Sequence, residues 1–379
     1  MLYANPPLEQ AVSRTVRTFF TAGLTAFCLG FAGDVSAAVR TWTGLGGTGN
    51  WSTSGNWDTG TPGNNDSVVF INGTANFLTT NNFVGRTLAS ITFSGSGSSM
   101  NIRGQAITLT GGISASQTGG AATCDLNITL ATKSQTIAVS GAGAGSALTL
   151  SGDLNLNGQN LTVTVTVNDS GAVLVCSGAI SGTGNITRNT GAGSLWFSGT
   201  TANTYAGITT VNSGFILATK SSGVISIPGD VVIGNGSATD TLQLGNDNQI
   251  AATADISIRT GGVFDLNNQS NTVASVTFID GGSADTGVGG ELKLGGPVTL
   301  NGVSTSASII GNLHLGTIIR TFNVTNAGST LTISAAIAGG SSGFVSAGIT
   351  KMRPGNAHLH RRQHLRRPDL RQRRSAKRE

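Results

Sequence analysis

The side chains in this sequence that could do chemistry are few and far apart. Asp125, Asp153, Asp230, Asp247, Asp265, Asp280 and Glu291 supply carboxylates, mostly as isolated residues. Cleaving a glycosidic bond takes two positioned carboxylates, and lyase chemistry adds a basic side chain or Ca²⁺. Asp265 and Asp280 meet only if strand register stacks them. His314 is the one histidine of the body, with no nucleophile beside it in the sequence. His358, His360 and His364 have a spacing that suggests a metal site, and Arg361-Arg362 with Arg366-Arg367 suggest a nucleic-acid arm. There is no phosphate loop, dinucleotide fingerprint, Cys/His zinc spacing or Ca²⁺-binding nonapeptide. The sequence therefore predicts no catalytic residue, no cofactor, no metal and no enzyme activity. The alternative is a carbohydrate-active β-helix enzyme, a polysaccharide lyase or hydrolase, and it requires a carboxylate cluster with a basic partner in one groove.

Trp42, Trp51 and Trp57 are set among Gly, Ser and Asn. They are surface or cap aromatics: a flat platform for stacking sugars, or large plugs that close the first rung of a stacked fold. The plug is the preferred reading. Cys124 and Cys176 could bridge in an oxidising compartment. A small buried side chain is the plainer use of each, and two free thiols are expected.

The elements that must position these residues are short. The chain has 379 residues, 56 of them Gly, with 10% charged and 38% apolar residues. Candidate strands recur from Thr87–Phe93 to Thr330–Ser334, bounded by Gly and Asn corners. Leu148, Leu150, Leu154 and Leu156 alternate with Thr149, Ser151, Asp153 and Asn155, which marks one face buried and one wet. No stretch of ten residues has a helical apolar period, so helix-covered parallel sheets are excluded. Near-regular strand spacing over some 300 residues favours a β-solenoid over sandwiches, with rungs of roughly 20 to 25 residues. The predicted fold is all-β, a right-handed parallel β-helix. Asn267-Asn268 is a candidate for a stacked amide ladder.

Arg14 and Arg17 precede the apolar run Phe19–Ala32, and Ser36-Ala37-Ala38 follows it. This is the pattern of a secretory signal peptide over residues 1–38, cleaved after Ala37 or Ala38, leaving no stable transmembrane segment. Phe27 before Cys28 argues against lipidation. Residues 39–85 then form a Trp/Gly/Asn-rich cap, and 86–350 the solenoid repeats.

One phrase is more specific. It reads Gly193-Ser194-Leu195-Trp196-Phe197-Ser198-Gly199, Ala202-Asn203-Thr204-Tyr205-Ala206-Gly207, and Thr210-Val211-Asn212-Ser213-Gly214. This resembles the autotransporter-associated β-strand repeat, in which GTLTLSGANTYTGxTTVNxGTL recurs along secreted or surface passenger regions. The copy at 191–217 matches closely, through Gly193, Leu195, Phe197, Gly199, Asn203, Thr204, Tyr205, Gly207, Val211, Asn212 and Gly214. Gly49-Asn50-Trp51 and Asn56-Trp57 with Pro62-Gly63 resemble the opening of such proteins. The resemblance implies an exported bacterial β-helix, structural or adhesive, with no catalytic residue. It implies secretion or cell-surface placement, and partners among glycans, extracellular matrix and other surface components. The sequence departs from the family in showing no C-terminal membrane barrel. Outer-membrane association is expected only if the full-length gene encodes an anchor.

Residues 351–379 differ from all that precedes them, with 11 Lys or Arg against Asp369 and Glu379. The first 350 residues carry 11 basic and 15 acidic side chains, so the positive net charge belongs to this tail. Codons permitted for Gly355 to Asp369, read one base later, spell GTLTFTGANTYAGP, a further copy of the phrase at Gly193–Gly214. The tail is therefore read as frame-shifted, a disordered basic appendage. Its histidines and arginines then specify neither a metal site nor a nucleic-acid partner.

Overall fold

The structure, a computed structural model, describes residues 37–75, 77–141, 147–166, 172–339, 349–352 and 356–359, the last two segments by backbone alone. The expected signal segment before Ala37, and most of the basic tail, lie outside these residues.

Half of the chain is strand and 1% is helix, and the strands wind into a parallel β-solenoid. Among the described residues they form one sheet of 18 strands and a second of 15. The chain crosses from one sheet to the other and returns to stack on itself, so a residue meets its equivalent 20 to 29 positions away. Alternation writes the core directly. In the first sheet, Ile91 stacks on Ile113, Ile113 on Ile137 and Ile137 on Val163. Farther along, Ile258 stacks on Phe278, and Phe278 on Leu300. In the second sheet Leu148, Leu174, Leu195, Ile216, Leu242 and Phe264 form one inward column. Burying each such side chain contributes roughly 1.5–3 kcal/mol. The alternating leucines around Leu150 are all buried, but Leu148 and Leu150 belong to the strand Ala147–Leu150, Leu154 to Leu154–Asn155 on the other sheet, and Leu156 to the turn after it. The alternation continues around a corner at Gly152.

The corners are held by side chains that imitate a ladder. The Asn160 side-chain Oδ1 accepts the N–H of Asn185 at 3.0 Å, and the Asn185 Oδ1 accepts that of Ile208 at 2.8 Å. Asn127, Asp153 and Ala179 repeat the arrangement, as do Asp230 and Asp255. Asn267-Asn268 bonds to the rungs on either side: the Asn268 side-chain oxygen accepts the N–H groups of Val288 at 2.8 Å and Gly289 at 3.1 Å, and the Asn267 carboxamide donates to the Leu244 carbonyl at 3.3 Å. Both residues have positive φ, 48° and 65°, and shape a turn in which Asp265 accepts the Asn267 N–H at 2.7 Å. Asn tolerates this left-handed conformation better than most residues.

The tail begins in register with the solenoid. Ile349–Met352 pairs with Arg320–Asn323, and Asn356–Leu359 with Thr330–Ile333. An open strand edge offers unpaired N–H and C=O groups to any extended backbone, whatever its side chains.

Candidate binding face

The residues of the repeat phrase are brought together as one complete rung. Leu195 and Phe197 point into the core from the strand Ser194–Phe197, and Val211 does so from Thr209–Val211. Asn203 is buried: its carboxamide accepts the Ile180 N–H from the rung below at 2.9 Å and donates to the Ser226 carbonyl above at 2.7 Å. The Thr204 N–H donates to the Ile180 carbonyl at 2.8 Å. Tyr205 is buried with its hydroxyl 2.6 Å from the Thr209 hydroxyl, and burial raises its pKa. The Asn212 N–H donates to the Arg188 carbonyl at 2.8 Å. Gly199, at φ 89°, is where a Cβ would lie 2.2 Å from the Ser177 carbonyl oxygen. Gly193, Gly207 and Gly214 likewise let neighbouring rungs approach closely. These named positions of the phrase thus serve stacking.

The three cap tryptophans are in the core. Trp42 and Trp51 are fully buried and Trp57 nearly so, which removes them as a sugar platform. Trp57 meets Trp42 and Trp51 edge to face, with ring centres 5.1 and 5.7 Å apart, and all three pack on Phe70. The Trp51 indole donates to the Thr79 hydroxyl and the Trp57 indole to the Trp51 carbonyl, each at 2.9 Å. Ala37 and Ala38, the expected cleavage residues, stand at the entrance to the first strand. The Ala38 N–H donates to the Asp66 carboxylate at 2.9 Å.

Alternation that turns Leu195 and Phe197 inward turns Trp196 outward, and at 36% exposure it is the one surface tryptophan of the four. Register builds a face around it. One outward column of the second sheet runs Val175, Trp196, Leu217, Gln243, Asp265, Asp285. The neighbouring column runs Val173, Ser194, Phe215, Thr241, Val263, Ser283. Its apolar members are half-buried. Gln243 donates to the Asp265 carboxylate at 2.6 Å, which fixes both side chains. Along one border lies a cleft of about 400 Å³, lined by Gly191, Ala192, Ser213, Gly214, Phe215, Ala238, Thr239 and Thr241. The sequence reading passed over Trp196. Its position between two core residues of the phrase is the signal that places it outside.

Behind the cleft the protein buries charge. The Arg188 guanidinium replaces an aliphatic side chain between Val163 and Val211 in the first sheet. It donates to the carbonyls of Gly191 and Gly193 at 2.7 Å each, to that of Val165 at 3.3 Å, and to that of Thr190. Burial pulls its pKa down to about 10, against the opposing pull of Asp240. Burial also raises the pKa of Asp240, although the N–H groups of Asn235 and Gly214 and the charge of Arg188 act the other way. Lys220, likewise buried, donates to the carbonyls of Ser198 at 2.8 Å and Gly178 at 3.2 Å.

Asp265 stacks on Asp285, not on Asp280, because the strand Ser283–Asp285 lies next in register; Asp280 belongs to a turn, at φ 59°. Asp265 and Asp285 each accept an N–H two residues on, from Asn267 and Gly287. Glu291 lines a second cleft and pairs with Lys293 at 3.7 Å. His314 stacks on Lys293 and accepts the Gly316 N–H on Nδ1 at 3.0 Å. Among the described residues no three His, Cys, Asp or Glu converge as a metal site. Cys124 and Cys176 are free and buried, with both thiols pushed up to about 12 by burial. No helix among the described residues is long and apolar enough to cross a membrane. The chain matches no protein-family profile, no curated protein and no solved structure.

Proposed function

We propose that this chain is an exported or cell-surface β-solenoid of autotransporter-passenger type, structural or adhesive in role and not catalytic. The observation that carries this reading is the rung at 191–217, where Leu195, Phe197, Asn203, Tyr205, Val211 and the glycines of the repeat phrase have stacking roles. The long outer face of the second sheet supports adhesion, since a flat flank repeated rung after rung presents a large contact area. The carbohydrate-active alternative draws on stacked carboxylates, among them Asp265 and Asp285. Both carboxylates are engaged in turns, and the pair Glu291–Lys293 belongs to a different section of the rungs.

The test is export. Expressed in a bacterial host, the full chain is expected outside the cytoplasm with an N-terminus at Ala38 or Val39, as read by N-terminal sequencing. A chain that keeps Met1 and stays in the cytoplasm would sink the surface reading. Processing after Ala37 would put the new α-ammonium group at the position from which Ala38 N now donates to Asp66.

A further inference from the structure

We propose that the strip centred on Trp196 binds a neutral glycan chain. Trp196, Phe215 and Leu217 take the apolar faces of the sugar rings, while Thr241, Gln243 and Asp265 take hydroxyls. The inference rests on the adhesive reading above and names its ligand class.

Three observations converge on this chemistry. First, the strip is both apolar and polar in the way a pyranose is. The ring of Trp196 lies on a sheet surface with Leu217 stacked on it and Phe215 at the diagonal position of the next strand. One and two rungs beyond Leu217 come a carboxamide and a carboxylate already joined at 2.6 Å. Gln243 keeps its carbonyl oxygen and its second N–H for a ligand. Second, the border is concave. The cleft of about 400 Å³ shares Phe215 and Thr241 with the strip and adds the hydroxyls of Ser213 and Thr239. Mostly apolar walls with a few fixed polar groups are what small-molecule sites are built from. Third, the charge is selective. Neither outward column from Val173 to Asp285 carries a basic side chain, and one end carries Asp265 and Asp285. A uronate or sulfated polysaccharide would meet repulsion there without a compensating cation. The rungs repeat at about 4.8 Å, so the successive residues of each column meet a polymer at regular steps along the face.

The full chain supplies its own reporter. Trp42, Trp51 and Trp57 are buried, so acrylamide quenching of tryptophan emission reads mainly Trp196. The probes are cellohexaose, chitohexaose and xylohexaose, with hexagalacturonate as the anionic comparison, each also followed by calorimetry. At least one neutral hexasaccharide is expected to shield Trp196 from acrylamide. Trp196→Ala should weaken its binding tenfold or more with the circular dichroism unchanged, and Trp196→Phe should retain most of it. The proposal is overturned if none of the three neutral probes shields Trp196, or if hexagalacturonate binds as tightly as the best of them. It is overturned equally if Trp196→Ala binds like the parent, or if Trp196 is already shielded in a self-associated form of the chain. Export is read separately from the N-terminus. A cytoplasmic chain that binds a neutral hexasaccharide leaves this site standing and removes the surface reading, and an exported chain that binds none does the reverse.

Discussion

Asp66 accepts hydrogen bonds from the N–H of Ala38 at 2.9 Å, the N–H of Gly63 at 2.8 Å and Arg40 Nε at 3.0 Å, which fastens the first strand to the second. Burial pushes its pKa up, but these donors and the Arg40 charge outweigh it and hold the carboxyl below its ordinary value of 3.8. A folded pKa below the unfolded one adds stability above the ordinary carboxylate range, and that contribution is lost as pH falls through the folded value. Asp66→Asn should therefore cost about 1–2 kcal/mol at neutral pH. The gap between variant and parent should close in urea titrations run well below pH 3.8; a gap independent of pH would refute the assignment. The two cysteines are an equally local matter. Cys124 stacks on Leu150 and Leu150 on Cys176, so two rung spacings, about 9.6 Å, separate their backbones. A disulfide spans less than about 7 Å between Cα atoms, so these thiols cannot bridge within one folded chain.

At the scale of the strand, Arg188 shows how a column tolerates a misfit. It stands in an aliphatic column, and the register shifts beside it between Val163 and Thr164. Its guanidinium gathers carbonyls from the turn that precedes Leu195. Arg188→Ala would leave those acceptors unsatisfied and Asp240 buried without its neighbouring charge, at a cost of about 3–5 kcal/mol. Equilibrium unfolding measures this, and a loss below 1 kcal/mol would show that water replaces the guanidinium. Such positions also mark where the sequence stopped being readable. Leu148 through Leu156 declared their burial by alternation alone. Arg188, Lys220, Asn203, Gln249 and Asn271 are just as buried, but their partners are carbonyls and side chains more than 20 residues away in several cases. Nothing in the local pattern distinguishes them from solvated corner residues. The same pattern contained Trp196: its outward direction follows from its neighbours, while the company of Gln243 and Asp265 needs the register.

At the scale of the molecule, the tryptophan cap closes both sheets at one end. Asn56 and Asp58 lie against the outer edge of the strand Val39–Trp42, through Thr43 N–H to Asn56 O at 2.8 Å and Asp58 N–H to Thr41 O at 3.0 Å. Gly49 and Trp51 cover the edge of Leu78–Asn81, through Thr80 N–H to Gly49 O at 2.7 Å and Trp51 N–H to Thr80 O at 3.0 Å. The buried Asn56 side chain holds this loop together, donating to the carbonyls of Thr48 and Asn50 and accepting the Gly46 N–H. Asn56→Ala should loosen the cap by about 2–4 kcal/mol and free strand edges that template association. Light scattering should then show concentration-dependent oligomers absent from the parent; a variant that stays monomeric at all concentrations would mean that the tryptophans alone close the end.

The constant stacking interval has a further consequence. Because each turn pairs its backbone with the turn before and the turn after, lengthening the chain by one turn asks little rearrangement elsewhere. Gene duplication within such a sequence changes reach in fixed increments, about 4.8 Å for each repeat gained or lost. Size thereby becomes a quantity that selection can tune by counting, while the composition of any single layer is left free to specialise.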